Sequence, residues 1–412
     1  MSNRIRHSPV ELLSAIREKL QFLILTSLQL VIMGIRRATT KLGIFGKAHP
    51  SVFSLDAHVS VVEDLRRGLR PLGVSFTTWC IAGSNRTFRK FLIAPDPVRG
   101  ISSRNWKQID GRAIEKFNNS YRGYLKSFDG FLATYPPAFA EAYEEYGKPM
   151  LVITGTRYEW PYTFDERKWN KLNQFLVRSV SSGRMTLVAN NRADADYINY
   201  FTGLSPLYVP SLCDYIDLSW DGTVTRKLIH ATRSPELSKQ ITRATNGEWL
   251  DIRSELGSFY SWSDLAKGSI LFVIPYNIST MTLFELATMG VPVVIPSRGL
   301  LKELRKGHPG VLSDLSFLEM RGAPTELLSE SNPNNYNSGG YLDWWLDRAD
   351  FYNSALMPNV VQIDDLAELD DTNRLLERLI DENYMQRVEA RNRFVFTQRE
   401  ELLATFVDGL VK

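Results

Sequence analysis

Two places in this sequence bring together residue types that can do chemistry on a hydroxyl and a phosphate. Asp56 and His58 stand directly after a short β-prone run, in SVFSLDAH (51–58). A histidine, with an ordinary pKa of about 6.5, can take a proton from an attacking hydroxyl near neutral pH. Asp56 can orient or charge that ring, or act as the base itself. The same pair can also be structural, Asp56 capping a helix and His58 lying half-buried. The second place is SILFVIPYNISTMTLFELATMGVPVVIPS (269–297). It reads as a buried strand, a polar loop, a helix over about 280–289 and a second buried strand. Ser279 or Thr280 can cap the helix. The free N–H groups behind them, in the loop and first turn Asn277, Ser279, Thr280, Met281 and Thr282, can hold a phosphate. Glu285, one and a half turns in, can accept hydrogen bonds from ribose hydroxyls. Gly290 suits a left-handed helix end.

The elements around these residues alternate. After 51–55 comes helical spacing over 59–69, then apolar runs at 74–81, 128–135, 150–155, 185–190 and 207–211, with helical stretches between most of them. A second series runs through 226–232, 249–252, 269–276, 291–297 and 360–363, with helices at about 235–244, 280–289, 299–306, 372–390 and 394–410. Strands alternating with helices predict βαβ units and parallel sheets. In open parallel sheets ligands bind beyond the carboxyl ends of the strands, where both candidate places fall. Thr156 and Arg157 also follow a strand and precede Tyr158-Glu159-Trp160-Pro161, and small polar residues beside aromatics suit a carbohydrate. The asparagine- and glycine-rich NPNNYNSGG (332–340) predicts an exposed loop.

The stretch 269–297 resembles the donor-binding segment of GT-B glycosyltransferases, in which a strand and loop lead to a helix bearing a glutamate and ending in G-x-P-V-V. Here Glu285 and GVPVV (290–294) carry the likeness, and VVQIDDLAELDDTNRLLERLIDENYMQRVEARNRF (360–394) resembles the family's closing strand, acidic turn and long helices. Many retaining members carry a further glutamate where this chain has Asn277. The resemblance implies two Rossmann-like parallel-sheet domains facing a cleft, with an extra helical segment at the N-terminus. It divides the chain into 1–50, an acceptor domain over 51–213, a nucleotide-sugar domain over 214–393, and a helix over 394–412 that crosses back. It implies that Arg233 and Lys239 serve the diphosphate, and that Asp56, His58 and the loop holding Ser84, Asn85 and Arg86 face the cleft. The implied reaction moves a sugar from a nucleotide-sugar donor to a hydroxyl of a glycan or lipid-linked acceptor, with no cofactor and no metal. A nucleotide-sugar epimerase of the same architecture and a nonenzymatic scaffold stay open as alternatives.

Composition narrows the field. Lys and Arg number 49 and Asp and Glu 46, a net charge of +3, so there is no electrostatic footprint for nucleic acid. Two cysteines, Cys80 and Cys213, exclude a disulfide scaffold or zinc ribbon. Asp194-Ala195-Asp196 has the form of a metal-holding triplet, but at a helix start the dipole favours such acids anyway. The run LQFLILTSLQLVIMGI (20–35) is short for a spanning helix and has no clean polar face. It reads as a membrane-surface or short anchor helix, as a helix buried against the body or a partner, or as a removed targeting segment. The location is accordingly cytoplasmic or membrane-associated.

Overall fold

A computed structural model describes residues 49–82, 98–222, 227–257 and 260–411. They form two parallel α/β lobes. The first sheet holds β1 (Ser51–Asp56), β2 (Ser75–Cys80), β3 (Gly130–Ala133), β4 (Met150–Thr154), β5 (Met185–Ala189) and β6 (Leu207–Tyr208), in the order β2-β1-β3-β4-β5-β6. The second holds β7 (Lys227–Ala231), β8 (Leu250–Asp251), β9 (Ser269–Val273), β10 (Val293–Pro296) and β11 (Val360–Ile363), in the order β11-β10-β9-β7-β8. All pairings are parallel. The central strands are covered on both faces, and so β4 (MLVIT) and β9 (SILFV) are buried at every position.

Each sheet reverses its strand order once, beside its first strand. The reversals lie between β1 and β3 in one lobe and between β7 and β9 in the other. Such reversals open a crevice at the carboxyl ends of the strands.

Eight longer helices pack on these sheets: α1 (Ser60–Leu69), α2 (Gly111–Leu125), α3 (Glu166–Ser181), α4 (Arg192–Thr202), α5 (Pro235–Ala244), α6 (Met281–Met289), α7 (Arg298–Gly307) and α8 (Tyr384–Leu410). The last has 27 residues and serves both lobes. Near its start the Tyr384 hydroxyl donates to the Gly290 carbonyl at the end of α6 (2.8 Å). Its second half carries Leu402, Leu403 and Phe406 into a core with Val52, Leu65, Leu69 and Leu132 of the first lobe. Gly68 of α1 permits that approach, because a Cβ there would collide with Leu403.

The linker between the lobes is clamped by the same helix. Buried Asp64 of α1 accepts the N–H groups of Leu212 (3.1 Å) and Asp214 (2.9 Å) and a guanidinium N–H of buried Arg399 (3.1 Å). Arg399 also donates to Asp214 (3.0 Å). Arg391 donates to the carbonyls of Ser211 (3.2 Å) and Leu356 (3.1 Å) and to the Thr288 hydroxyl (3.2 Å).

Three expectations change. The predicted pair of helices over 372–390 and 394–410 is a short helix, Thr372–Glu377, followed by α8. The break lies at 378–383, where Asp381 takes the Asn383 N–H, while the polar-looking 391–399 segment stays helical because Arg391 and Arg399 are buried and bonded. The helical stretch expected between the apolar runs 128–135 and 150–155 is a 3-10 run, Pro137–Tyr146. The 332–340 segment is partly interior: Asn334 and Asn335 are buried, and the Asn334 side chain bonds Ser316 (2.7 Å) and Tyr197 (2.7 Å). An asparagine-rich run reads as a solvated loop unless buried polar partners await it. The 20–35 run lies outside the described residues, as do Ser84, Asn85 and Arg86; no described helix is long and apolar enough to cross a membrane.

Removing one partner of the buried ion pair strands the other charge. Asp64→Ala should therefore lower the free energy of unfolding by about 3 kcal/mol in a denaturant titration. An unchanged midpoint and slope would remove the clamp from the account.

Candidate active site between the two lobes

At the first reversal, Asp56 ends β1 and Thr134-Tyr135 follow β3. Asp56 is fully buried. One carboxylate oxygen accepts the Thr134 hydroxyl (2.7 Å) and the N–H groups of Thr134 (3.0 Å) and Tyr135 (3.3 Å); the other accepts the His58 N–H (3.1 Å). It thus staples the ends of two neighbouring strands and holds the backbone of His58, not its ring. Burial pushes its carboxyl up to about 7 against the pull of these hydrogen bonds. With no exposed atom, the Asp56 carboxylate is out of reach of an acceptor hydroxyl in this structure, and its hydrogen bonds hold the backbone around it.

The His58 ring is exposed. Solvent reaches it, yet the protein around it removes enough hydration to lower its pKa below the usual imidazole value. The ring therefore stays neutral at neutral pH. Nδ1 lies 3.0 Å from the Ser60 hydroxyl and 3.4 Å from the Ser60 N–H, at the start of α1, where no side chain of Val59 caps the helix. The tautomer decides its chemistry. The Ser60 N–H donates to Nδ1, which places the neutral ring's proton on Nε2; when that 3.4 Å bond is exchanged for Nδ1–H donating to the Ser60 hydroxyl, Nε2 gains a lone pair and can accept a proton.

At the second reversal, Arg233 follows β7 and Tyr276-Asn277 follow β9. The Arg233 guanidinium lies over the Tyr276 ring (3.2 Å to its centre) and pairs with Asp314 (2.7 Å). It is half-exposed, so the pairing is weak and open to competition by another anion. Lys239 is exposed on α5. The Asn277 side chain receives the Ser279 N–H (3.3 Å), and the Thr280 hydroxyl donates to the Asn277 carbonyl (3.1 Å). Ser279 and Thr280 are buried, and their hydroxyls are spent inside the loop. The sequence offered both as caps, but neither caps α6. Asp110, Asp165, Asn191, Ser234 and Ser297 do cap α2, α3, α4, α5 and α7. The first turn of α6, at half-buried Met281 and Thr282, thus keeps backbone N–H groups with no side-chain acceptor.

Glu285 sits farther along α6. One carboxylate oxygen accepts the Tyr215 hydroxyl (2.8 Å), and Trp262 supplies a second hydrogen bond. Burial raises its pKa above the usual carboxylate range, and these two donors oppose that shift. Tyr215 and Trp262 are in ring contact (centroids 5.3 Å). Neither was singled out in the sequence. Tyr215 lies in the linker and Trp262 opens a five-residue helix, Trp262–Ala266, so no local pattern ties them to Glu285.

Arg157 joins the first lobe to the second cluster. It follows β4, is only 1% exposed, and donates to the side chains of Thr156 (2.8 Å) and Asn277 (2.9 Å) and to the Asp314 carbonyl (3.2 Å). The residue read as facing an acceptor and the residue read as facing the donor are thus bonded to each other across the lobes. Asp194 balances its charge at 3.8 Å, and the guanidinium lies 5.2 Å from the centre of the Trp345 ring. Asp196 pairs elsewhere, with Arg348 (2.8 Å). Beside Arg157, buried Glu159 accepts the Tyr197 hydroxyl (2.8 Å), which in turn accepts the Asn334 amide of the second lobe.

No family model matches this chain, and no curated protein matches it. Among solved structures, it is similar at 12% identity to the glycosyltransferase of kitacinnamycin, to the glycosyltransferase SnogD from Streptomyces nogalater, and to the spinosyn forosaminyltransferase SpnP. The first two align over 88% of this chain and 100% and 99% of theirs, each with a TM-score of 0.42. The third aligns over 87% of this chain and 100% of its own, with a TM-score of 0.39. Scores this low lend no weight to a functional reading, which rests on the geometry above.

Burial lifts Glu159 from 4.5 to about 7, and its second oxygen has no hydrogen-bond partner. The folded state therefore binds this proton more tightly than the unfolded chain does. Its contribution to stability is complete below pH 4.5 and is lost as pH rises through about 7, a change of roughly 3 kcal/mol. Glu159→Gln, which keeps a neutral side chain, should show a shallower decline of unfolding free energy across that window. Equal slopes for the two proteins would rule the assignment out.

Proposed function

We propose that this chain transfers a glycosyl group from a nucleotide-sugar to a hydroxyl of a glycan or lipid-linked acceptor. The observation that carries the reading is the bond from Arg157, at the end of β4 next to the first reversal, to Asn277 at the second, with a neutral imidazole in one lobe and an uncapped helix start with a carboxylate behind it in the other.

The donor's diphosphate lies at the opening turn of α6, against the N–H groups of Met281 and Thr282. Glu285, steadied by Tyr215 and Trp262, takes the ribose hydroxyls. Arg233 exchanges Asp314 for a phosphate oxygen, so the charge that builds on the leaving diphosphate meets a guanidinium and the positive end of a helix. His58 accepts the proton of the acceptor hydroxyl as that oxygen bonds the anomeric carbon and the bond to the diphosphate breaks. The buried Asp56 holds the His58 backbone where the ring can do this. These residues serve the reaction without calling on a metal. The closed pairings Arg157–Asn277 and Arg233–Asp314 are also what a nonenzymatic scaffold would show, and nucleotide binding separates the two.

A panel of nucleoside diphosphates should raise the melting temperature. Ligand at a hundredfold excess over its Kd stabilises by about 2.7 kcal/mol. Glu285→Ala should shrink that rise at fixed ligand concentration. No shift with any nucleoside diphosphate would end the donor-site reading. With a productive acceptor in hand, His58→Ala should lower kcat by about 10²- to 10⁴-fold while leaving the nucleotide shift intact. Full turnover in that variant would dismiss His58 as the base.

A further inference from the structure

Five half-buried or exposed rings run in contact from one lobe to the other. The His58 ring meets Tyr135 (centroids 6.2 Å, interplanar angle 77°), Tyr135 meets Trp106 (5.8 Å, 66°), Trp106 meets Trp160 (6.5 Å, 74°), and Trp160 meets Phe317 of the second lobe (4.7 Å, 36°). Tyr135, Trp106, Trp160 and Phe317 each keep part of their surface in solvent. The core aromatics of the same lobe differ. Phe53, Phe128, Phe131 and Tyr143 also contact one another but are fully enclosed. Core packing therefore accounts for the second set and leaves the partial exposure of the first unexplained. The Trp160 indole N–H is buried and has no hydrogen-bond partner.

We infer that this row is an acceptor platform for a chain of pyranose rings, with the reacting hydroxyl at His58 and the rest of the glycan lying over Tyr135, Trp106 and Trp160 toward Phe317. The inference rests on the transfer reading for its direction, since it takes His58 as the reacting end. Aromatic faces stack on the C–H faces of sugars. The angles choose the class of ligand. The first three junctions turn by 66° to 77°, so a rigid flat polycycle can lie on one ring at a time. A glycan rotates at each linkage and can present a new face at each step. Centroid spacings of 4.7–6.5 Å are comparable to the length of one sugar unit.

The test is titration of the full chain, followed by tryptophan fluorescence and calorimetry, with β-1,4-glucose, α-1,4-glucose and β-1,4-N-acetylglucosamine oligomers of increasing length, and with anthraquinone as a flat control. Affinity for at least one series should rise with chain length. Trp106→Ala and Trp160→Ala should each weaken the longest oligomer by about threefold to tenfold, and Trp160→Phe should restore most of the loss. The nucleoside diphosphate shift, run on the same variants, should not change, which also reports that they are folded. Absence of binding in every series, affinity independent of length, wild-type affinity in both alanine variants, or tighter binding of anthraquinone would each overturn the platform. Oligomer binding without any nucleotide shift would keep the platform and discard the transfer reading; a nucleotide shift without oligomer binding would do the reverse.

Discussion

The arrangement of this molecule depends on a buried cation. Arg157 leaves β4 of the first lobe and ends among groups of the second, with 1% of its surface exposed. A guanidinium cannot be neutralised by losing its proton, so the fold must surround it with acceptors. Asp194 and Thr156 supply them from its own lobe, and Asn277 and the Asp314 carbonyl from the other. Separating the lobes at this point breaks its hydrogen bonds to Asn277 and to the Asp314 carbonyl. The relation of the β4 end to the α6 loop is thereby set by an electrostatic requirement as well as by apolar contact.

A second constraint acts at the linker between the lobes. There α8 buries Arg391 and Arg399 among the carbonyls and carboxylates of the linker, of α1 and of α6. The two fastenings differ in consequence. The α8 clamp bonds the linker, α1 and α6 and fixes the lobes as a pair. The Arg157 bridge runs through the candidate site, and its Asn277 partner belongs to the loop read as the phosphate site. Polar groups of the site are thus largely bonded to one another: Asn277 to Arg157, Arg233 to Asp314, Glu285 to Tyr215. A ligand at α6 has to exchange with these pairings, and the half-exposed Arg233–Asp314 pair is the easiest to give up.

Several features of the site were legible in the residue pattern. The apolar runs that became β1, β3, β4, β7 and β9 are continuous because both faces of a parallel sheet are covered, and that continuity is visible without coordinates. So are the positions of Asp56, His58, Arg157, Arg233 and Asn277 after strand ends. Their partners were not legible. Asp56 reads as a companion to the His58 ring two residues away, but the Thr134 hydroxyl, 78 positions later, takes the carboxylate instead. Ser279 and Thr280 read as helix caps, but Asn277 engages them first. Asn334 reads as a solvated loop residue, and the Ser316 hydroxyl and a tyrosine from the other lobe make its burial favourable.

By itself the sequence determined which segments become strands and helices and therefore that two parallel α/β units form, because periodicity and burial on both faces are local properties of the chain. Tertiary structure alone decided which polar groups neutralise one another and which rings stay half-exposed between the lobes. Those outcomes depend on distances between residues far apart in sequence, and burial makes even a small change in such a distance costly for a charge.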